Sequence, residues 1–143
     1  MIEKVVVDTN IFVSAIMNAD GAPRQVIRLC LEKMLLPLVG NALFAEYEDV
    51  CGRKELFDDA ILPKDERFLL LEAFFSVCQW VPIYYLWRPN LKDEADNHLI
   101  ELAVGGGATA LITANRKDFA RAELLFPQLR VVTAGEFLAQ RRS

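Results

Sequence analysis

Short apolar runs alternate along this chain with longer segments in which apolar positions recur every three or four residues. Residues 5–7, 36–39, 81–85, 110–112 and 129–132 lack the polar alternation of a half-exposed strand, so they predict five short strands covered on both faces. The segments between them have helical periodicity. Strands alternating with helices predict a three-layer α/β/α sandwich around a central five-stranded, mainly parallel sheet. Pro23 near the start of one helix, Asn41 capping another, Pro63 ahead of a long apolar segment and Gly105-Gly106-Gly107 closing a fourth helix supply the punctuation. The glycine triplet follows a helix and precedes a strand, whereas a phosphate-cradling loop lies after a strand and opens a helix, so it reads as a helix stop. Thr133-Ala134-Gly135-Glu136 is a capping box at the start of the last helix.

Against this frame several acids stand in unexpected places. Asp8 ends the first strand in Val5-Val6-Val7-Asp8-Thr9-Asn10, at the carboxyl end where open parallel sheets bind ligands. It reads equally as the cap of the following helix, since Asp, Thr and Asn are all good N-caps. In the segment 93–103, Ala95, Leu99, Leu102 and Ala103 make the core stripe of a helix, and Asp96 falls about 60° from its centre. Asp93, Asn97 and Glu101 point away from that stripe, and His98 points off the opposite flank and reads as incidental. A carboxylate so near a buried stripe is costly unless a metal ion or backbone donors compensate it, although a cap at Asp93 completed by Asp96 is the plain alternative. Thr113-Ala114-Asn115-Arg116-Lys117-Asp118 leaves the fourth strand as Asp8 leaves the first, with Thr113, Asn115 and Asp118 as oxygen donors suited to a hard divalent cation. Glu46 and Glu48 flank the apolar stripe of the helix at 41–51 on opposite sides, and periodicity does not choose between them.

Composition narrows the classes. A chain of 143 residues, 53% hydrophobic, is long enough for one domain spanning 1–143 with a single core. Its apolar stretches are too interrupted to span a bilayer. Met1-Ile2-Glu3-Lys4 is unlike a basic secretory leader, so a cytoplasmic location is expected. The three cysteines, Cys30, Cys51 and Cys78, lie far apart in apolar helical patterns and read as reduced core residues. One histidine excludes a His-rich metal site. Sixteen basic against twenty acidic residues give a net charge of −4, which argues against a simple nucleic-acid coat but leaves room for an enzyme that gathers acids at one metal site.

Taken in order, the strand ending in Asp8-Thr9-Asn10, the mid-chain helical Glu46, Asp96 with Leu99 and Ala103 behind it, and the strand leading into Thr113-x-Asn115-x-x-Asp118-Phe119 resemble the PIN domain. More narrowly, they resemble the PIN toxins of prokaryotic toxin–antitoxin systems. The resemblance covers nearly the whole chain. It implies a metal-dependent endoribonuclease whose first and fourth strands are neighbours, and it selects Glu46 over Glu48 and Asp96 over Asp93. It further implies that Asp8, Asp96 and Asp118 hold Mg²⁺ or Mn²⁺, directly or through water, while Glu46 positions the outer hydration shell. Many PIN domains carry an aspartate where this chain has Asn115, so either Asn115 ligates as a neutral oxygen or Asp118 completes the acidic set. Arg116 and Lys117 are candidates for gripping a phosphate, and Thr9, Asn10 and Thr113 for orienting ligands or a phosphate oxygen.

Other readings are weaker. A haloacid-dehalogenase-type phosphatase needs a second aspartate two residues after the first, where this chain has Asn10. A receiver domain wants an acidic pair at the end of the first strand. A PIN nuclease for RNA processing or flap cutting, or an inactive PIN scaffold that binds a protein, remains distinct from the toxin reading. The predicted helix at 64–79 carries Phe68, Leu70, Leu71, Phe74, Phe75, Val77 and Cys78 over half its circumference, with Leu69 outside that arc. Such breadth predicts a sandwiched helix, or a contact face for a homodimer or a small antitoxin, beside the RNA substrate.

Overall fold

A computed structural model describes residues 2–53, 63–82 and 97–142. Its five strands are β1 (Glu3–Val7), β2 (Leu35–Val39), β3 (Gln79–Trp80), β4 (Ala110–Ile112) and β5 (Arg130–Val132), in the order β3-β2-β1-β4-β5 and all parallel. The helices are α1 (Thr9–Met17), α2 (Ala22–Leu31), α3 (Asn41–Cys51), α4 (Lys64–Val77), α5 (Asn97–Gly106), α6 (Ala120–Leu125) and α7 (Ala134–Arg142), with a 3-10 turn at Arg116–Phe119. The β-branched Val5, Val6 and Val7 form the centre of the sheet and are sealed from solvent, as strands covered on both faces require.

The strand order places the functional crevice. From β1 the chain steps outward to β2 and β3, then returns past β1 to β4 and on to β5. Right-handed crossovers in opposite directions put their helices on opposite faces. Accordingly α1 packs on α2 and α3, and α2 on α4 and α7, while α5 lies against β1, β2 and β4. The direction reverses between β1 and β4, and the cleft beyond their carboxyl ends is where such folds bind ligands.

Several boundaries differ from the sequence pattern. The third strand is Gln79–Trp80, ahead of the expected 81–85, of which residues 83–85 lie outside the described residues. Val81 is buried and its N–H still bonds Val39 O at 2.8 Å, so its apolar character marks the core and not strand extent. The N-cap of α3 is Gly40 rather than Asn41, and β5 begins at Arg130, one residue after the buried Leu129. Glu101, expected to point away from the core, is only 4% exposed. On α4 the fully buried face is Arg67, Leu71 and Phe74, with Phe68, Leu70 and Phe75 packed at its margin and Leu69 63% exposed.

Other punctuation falls as the residue types dictate. Pro23 lies in the first turn of α2, and Pro63 caps α4. In the box that opens α7, Thr133 N–H donates to Glu136 Oε1 at 2.9 Å and Glu136 N–H to Thr133 Oγ1 at 3.1 Å. All three cysteines are free thiols. Burial pushes Cys30 up to about 12 and Cys51 up to about 11, which leaves both unreactive near neutrality. Among the described residues no helix is long and apolar enough to cross a membrane.

Two glycines make opposite demands. Gly107 follows α5 with φ +76°, the left-handed conformation of a helix stop, whereas Gly135 lies in the first turn of α7 with open space where a Cβ would sit. Gly107→Ala is expected to destabilise the fold by about 1–2 kcal/mol, and Gly135→Ala to stabilise it by up to about 1 kcal/mol. Urea denaturation of the two variants checks both signs.

Candidate active site

The parallel register of β1 and β4 builds the centre of the site. Val7 pairs with Ile112, and the ladder continues one step as Asp8 N–H donates to Ile112 O at 2.9 Å. Asp8 and Thr113 are therefore the next residues abreast, and the buried Thr113 hydroxyl donates to Asp8 Oδ2 at 2.8 Å. Asp8 is the backbone N-cap of α1, but its side chain makes no capping hydrogen bond. The carboxylate turns across the strands instead.

Asn10 fastens the same two elements. Its Nδ2 donates to Asp8 Oδ2 at 3.3 Å and lies 3.5 Å from Thr113 Oγ1, while its Oδ1 accepts the Ala114 N–H at 3.2 Å. Asn115 N–H donates to Thr113 Oγ1 at 3.1 Å. Both ends of the Asn10 amide are thus spent inside the protein, as a staple between α1 and the turn after β4. Asn115, Arg116, Lys117 and Asp118 are all exposed along that turn. Arg116 is not a free cation here: its Nη1 pairs with Glu136 Oε2 at 3.0 Å and its Nε lies 3.9 Å from Glu123.

The second carboxylate arrives from α3. Tyr47 is buried, its hydroxyl donates to Val7 O at 2.7 Å, and its ring meets Phe12 edge-on at 5.4 Å. That anchor holds α3 over the end of β1 and turns the preceding residue, Glu46, toward α1. Thr9 Oγ1 donates to Glu46 Oε1 at 2.9 Å, and His98 Nε2 lies 2.9 Å from Glu46 Oε2. Glu48 and Asp49 face solvent. The sequence pattern left His98 off the opposite flank of its helix; in the structure that flank meets α3, where the ring pairs with Glu46. Asp96 and Asp93 lie outside the described residues.

The two acids are electrostatically unlike. Burial pushes the Asp8 carboxyl up from its ordinary range, partly opposed by the Thr113 hydrogen bond and reinforced by the nearby Glu46 charge. The His98 hydrogen bond pulls Glu46 down, against a smaller desolvation effect, and Thr9 adds to the pull. Among the described residues no Lys or Arg pairs with Asp8, and no group of three His, Cys, Asp or Glu side chains gathers closely enough to enclose a metal ion. The donor set still fits a hard divalent cation. Mg²⁺ keeps several waters and takes one or two carboxylates, and Asp8 is an all-oxygen ligand whose charge the fold leaves underpaid.

A model of the PIN domain matches residues 4–117, a span that begins in β1, includes Asp8 and Glu46, and ends at Lys117 within the turn after β4, one residue before Asp118. The chain belongs to the PIN domain family. It is also similar to an uncharacterized protein of Methanocaldococcus jannaschii, 31% identical over 121 residues, which cover 80% of this chain and 72% of that protein. PIN domains are generally nucleases, and the neighbouring first and fourth strands expected of one are present as β1 and β4.

The opposite shifts of the two acids predict opposite pH signatures for the metal-free protein. A raised Asp8 pKa means that its ionisation costs stability, the cost growing as pH rises from the ordinary carboxylate value through the folded one. Asp8→Asn should therefore raise the melting temperature at pH 7, with the gain shrinking toward pH 4. Glu46 has a lowered pKa, so its contribution is present at neutral pH and is lost as pH falls through the folded value. Glu46→Gln should lower the melting temperature at pH 7, and the loss should fade in acid. Melting curves of both variants between pH 4 and 7 measure the two trends.

Proposed function

We propose that this PIN domain is a Mg²⁺- or Mn²⁺-dependent endoribonuclease that acts as the toxin of a toxin–antitoxin pair. The observation that carries the nuclease chemistry is Asp8: a carboxylate 6% exposed, at the switch point of a parallel sheet, with a raised pKa and no basic partner among the described residues. Such a group is stabilised by a cation, and hydrolysis of a phosphodiester uses one. The choice of RNA and the toxin role rest on the likeness of the four motifs to PIN toxins.

In this reading Asp8 holds the cation, with Asp96 and either Asp118 or Asn115 completing the set. A bound Mg²⁺ or Mn²⁺ supplies Lewis acidity and lowers the pKa of a coordinated water. Thr113 and Asn10 fix the orientation of the Asp8 carboxylate, so that its ligating geometry exists before the ion arrives. Glu46, held ionised by Thr9 and His98, orients a water and accepts its hydrogen bond. Lys117, exposed beside the turn, is placed to meet a phosphate. No side-chain nucleophile is needed.

Cleavage of an RNA oligonucleotide should require Mg²⁺ or Mn²⁺, stop with chelator and fall to background in Asp8→Asn. At a metal concentration 100 times the Kd, the ion should stabilise the wild type by about 2.7 kcal/mol, and Asp8→Asn should lose most of that gain. Undiminished cleavage in excess EDTA, by a preparation free of contaminating nuclease, would sink the metal mechanism.

On the turn after β4, Asp118 brings a full negative charge and Asn115 only an amide dipole, and both side chains are exposed. Asp118→Ala should weaken Mn²⁺ binding more than Asn115→Ala. Calorimetric titration that ranks them the other way would assign the amide to the ion and leave Asp118 on the surface.

A further inference from the structure

We propose that His98 is a positioning residue, which fixes the orientation of the Glu46 carboxylate for catalysis; the proposal rests on the nuclease reading above. Glu46 receives one donor at each oxygen, from two different elements: Thr9 of α1 at Oε1 and His98 of α5 at Oε2, each at 2.9 Å. A glutamate has three side-chain torsions, and fixing all of them in one geometry costs conformational entropy that its contacts must offset. A single hydrogen bond at Oε1 leaves the carboxylate free to swing about that contact. A second at Oε2, from an element on the other face of the sheet, fixes its plane.

The pairing has a defined chemical sense. An ionised carboxylate has no hydrogen to give, so His98 Nε2–H is the donor in this contact. His98 Nδ1 is closed to solvent and has no hydrogen-bond partner among the described residues. The ring's interaction with Glu46 is therefore the polar contact that the described residues offer it. His98 is also two residues from Asp96, so the contact ties the start of the helix that follows Asp96 to α3 and, through Thr9, to the residue after Asp8. Supporting contacts of this kind change metal affinity or activity by about 10–100-fold when removed.

The test compares His98→Phe, which keeps the ring volume without the donor, with His98→Gln, whose amide nitrogen stands the same number of bonds from Cα as Nε2. Both are assayed on a fluorogenic RNA oligonucleotide with Mn²⁺, alongside thermal melts of the metal-free proteins. His98→Phe should lower kcat about 10-fold or more with KM changed less than about twofold, His98→Gln should recover most of the loss, and His98→Phe should add nothing further in a Glu46→Gln background. Wild-type kcat in a folded His98→Phe, or a His98→Gln no better than His98→Phe, overturns the proposal. Should the Phe variant fail to fold, His98→Asn, one bond too short to reach Glu46, takes its place in the same comparison. A wild type that cleaves no RNA with any divalent cation removes the nuclease reading and this proposal with it, whereas an active wild type with an equally active donor-less variant removes only the role of His98.

Discussion

The hydrogen bond from Thr113 to Asp8 is the contact on which the site depends, because it exists only if β1 and β4 are parallel neighbours in one particular register. A slip of one residue would carry Lys4 or Asp8 into a place now held by a buried valine and would take the Asp8 carboxylate away from the Thr113 hydroxyl. The hydrophobic cost of that slip protects the alignment of two polar groups that contribute little to stability themselves. Core packing and site geometry are thus set by the same ladder: Val5, Val6 and Val7 specify the register with Ala110, Leu111 and Ile112, and Asp8 and Thr113 inherit it.

The same logic extends outward from the strands. Tyr47 is a core residue whose hydroxyl is consumed by the last carbonyl of β1, and Glu46 is where it is because its neighbour cannot move. Asn10 holds the turn after β4 against α1 with both ends of its amide. Two carboxylates are therefore delivered to one crevice by groups whose polar atoms are engaged inside the protein. They are delivered in different states. Asp8 is desolvated and short of positive charge, while Glu46 is supplied with donors at both oxygens, so one acid calls for a cation and the other does not.

Much of this was legible in the sequence. Apolar runs without polar alternation, Val5-Val6-Val7 the clearest, report burial on both faces, which is why the parallel three-layer architecture and the position of Asp8 could be read from the sequence pattern. What periodicity does not carry is which helix lies beside which. His98 looked incidental on a helical wheel because the wheel knows the core stripe of α5 and not the α3 residue that covers its flank. Glu101 failed for the same reason: its position is polar by sequence and buried by neighbours that the pattern does not name. The choice between Glu46 and Glu48 was likewise closed to spacing and needed either a family likeness or the Tyr47 anchor. The third strand was displaced because Val81 is buried without being paired as strand, and apolar runs report the first property only.

An acidic chain that handles a polyanion has to solve a charge problem, and the disposition of the basic residues bears on how. The net charge is −4, and Arg116, the guanidinium nearest the acidic turn in sequence, is committed to Glu136 and Glu123. Those contacts tie the 3-10 turn to the capping box of α7, so Arg116 serves the placement of the turn while it remains paired. On the proposed reading, a phosphodiester approaching Asp8 and Glu46 is repelled until a divalent ion neutralises them. Cation and nucleic acid then bind as linked ligands, each raising the affinity of the other by the same factor. On that reading the raised pKa of Asp8 is the metal-free face of the linkage: burial disfavours the carboxylate's charge, and a bound cation would offset that cost.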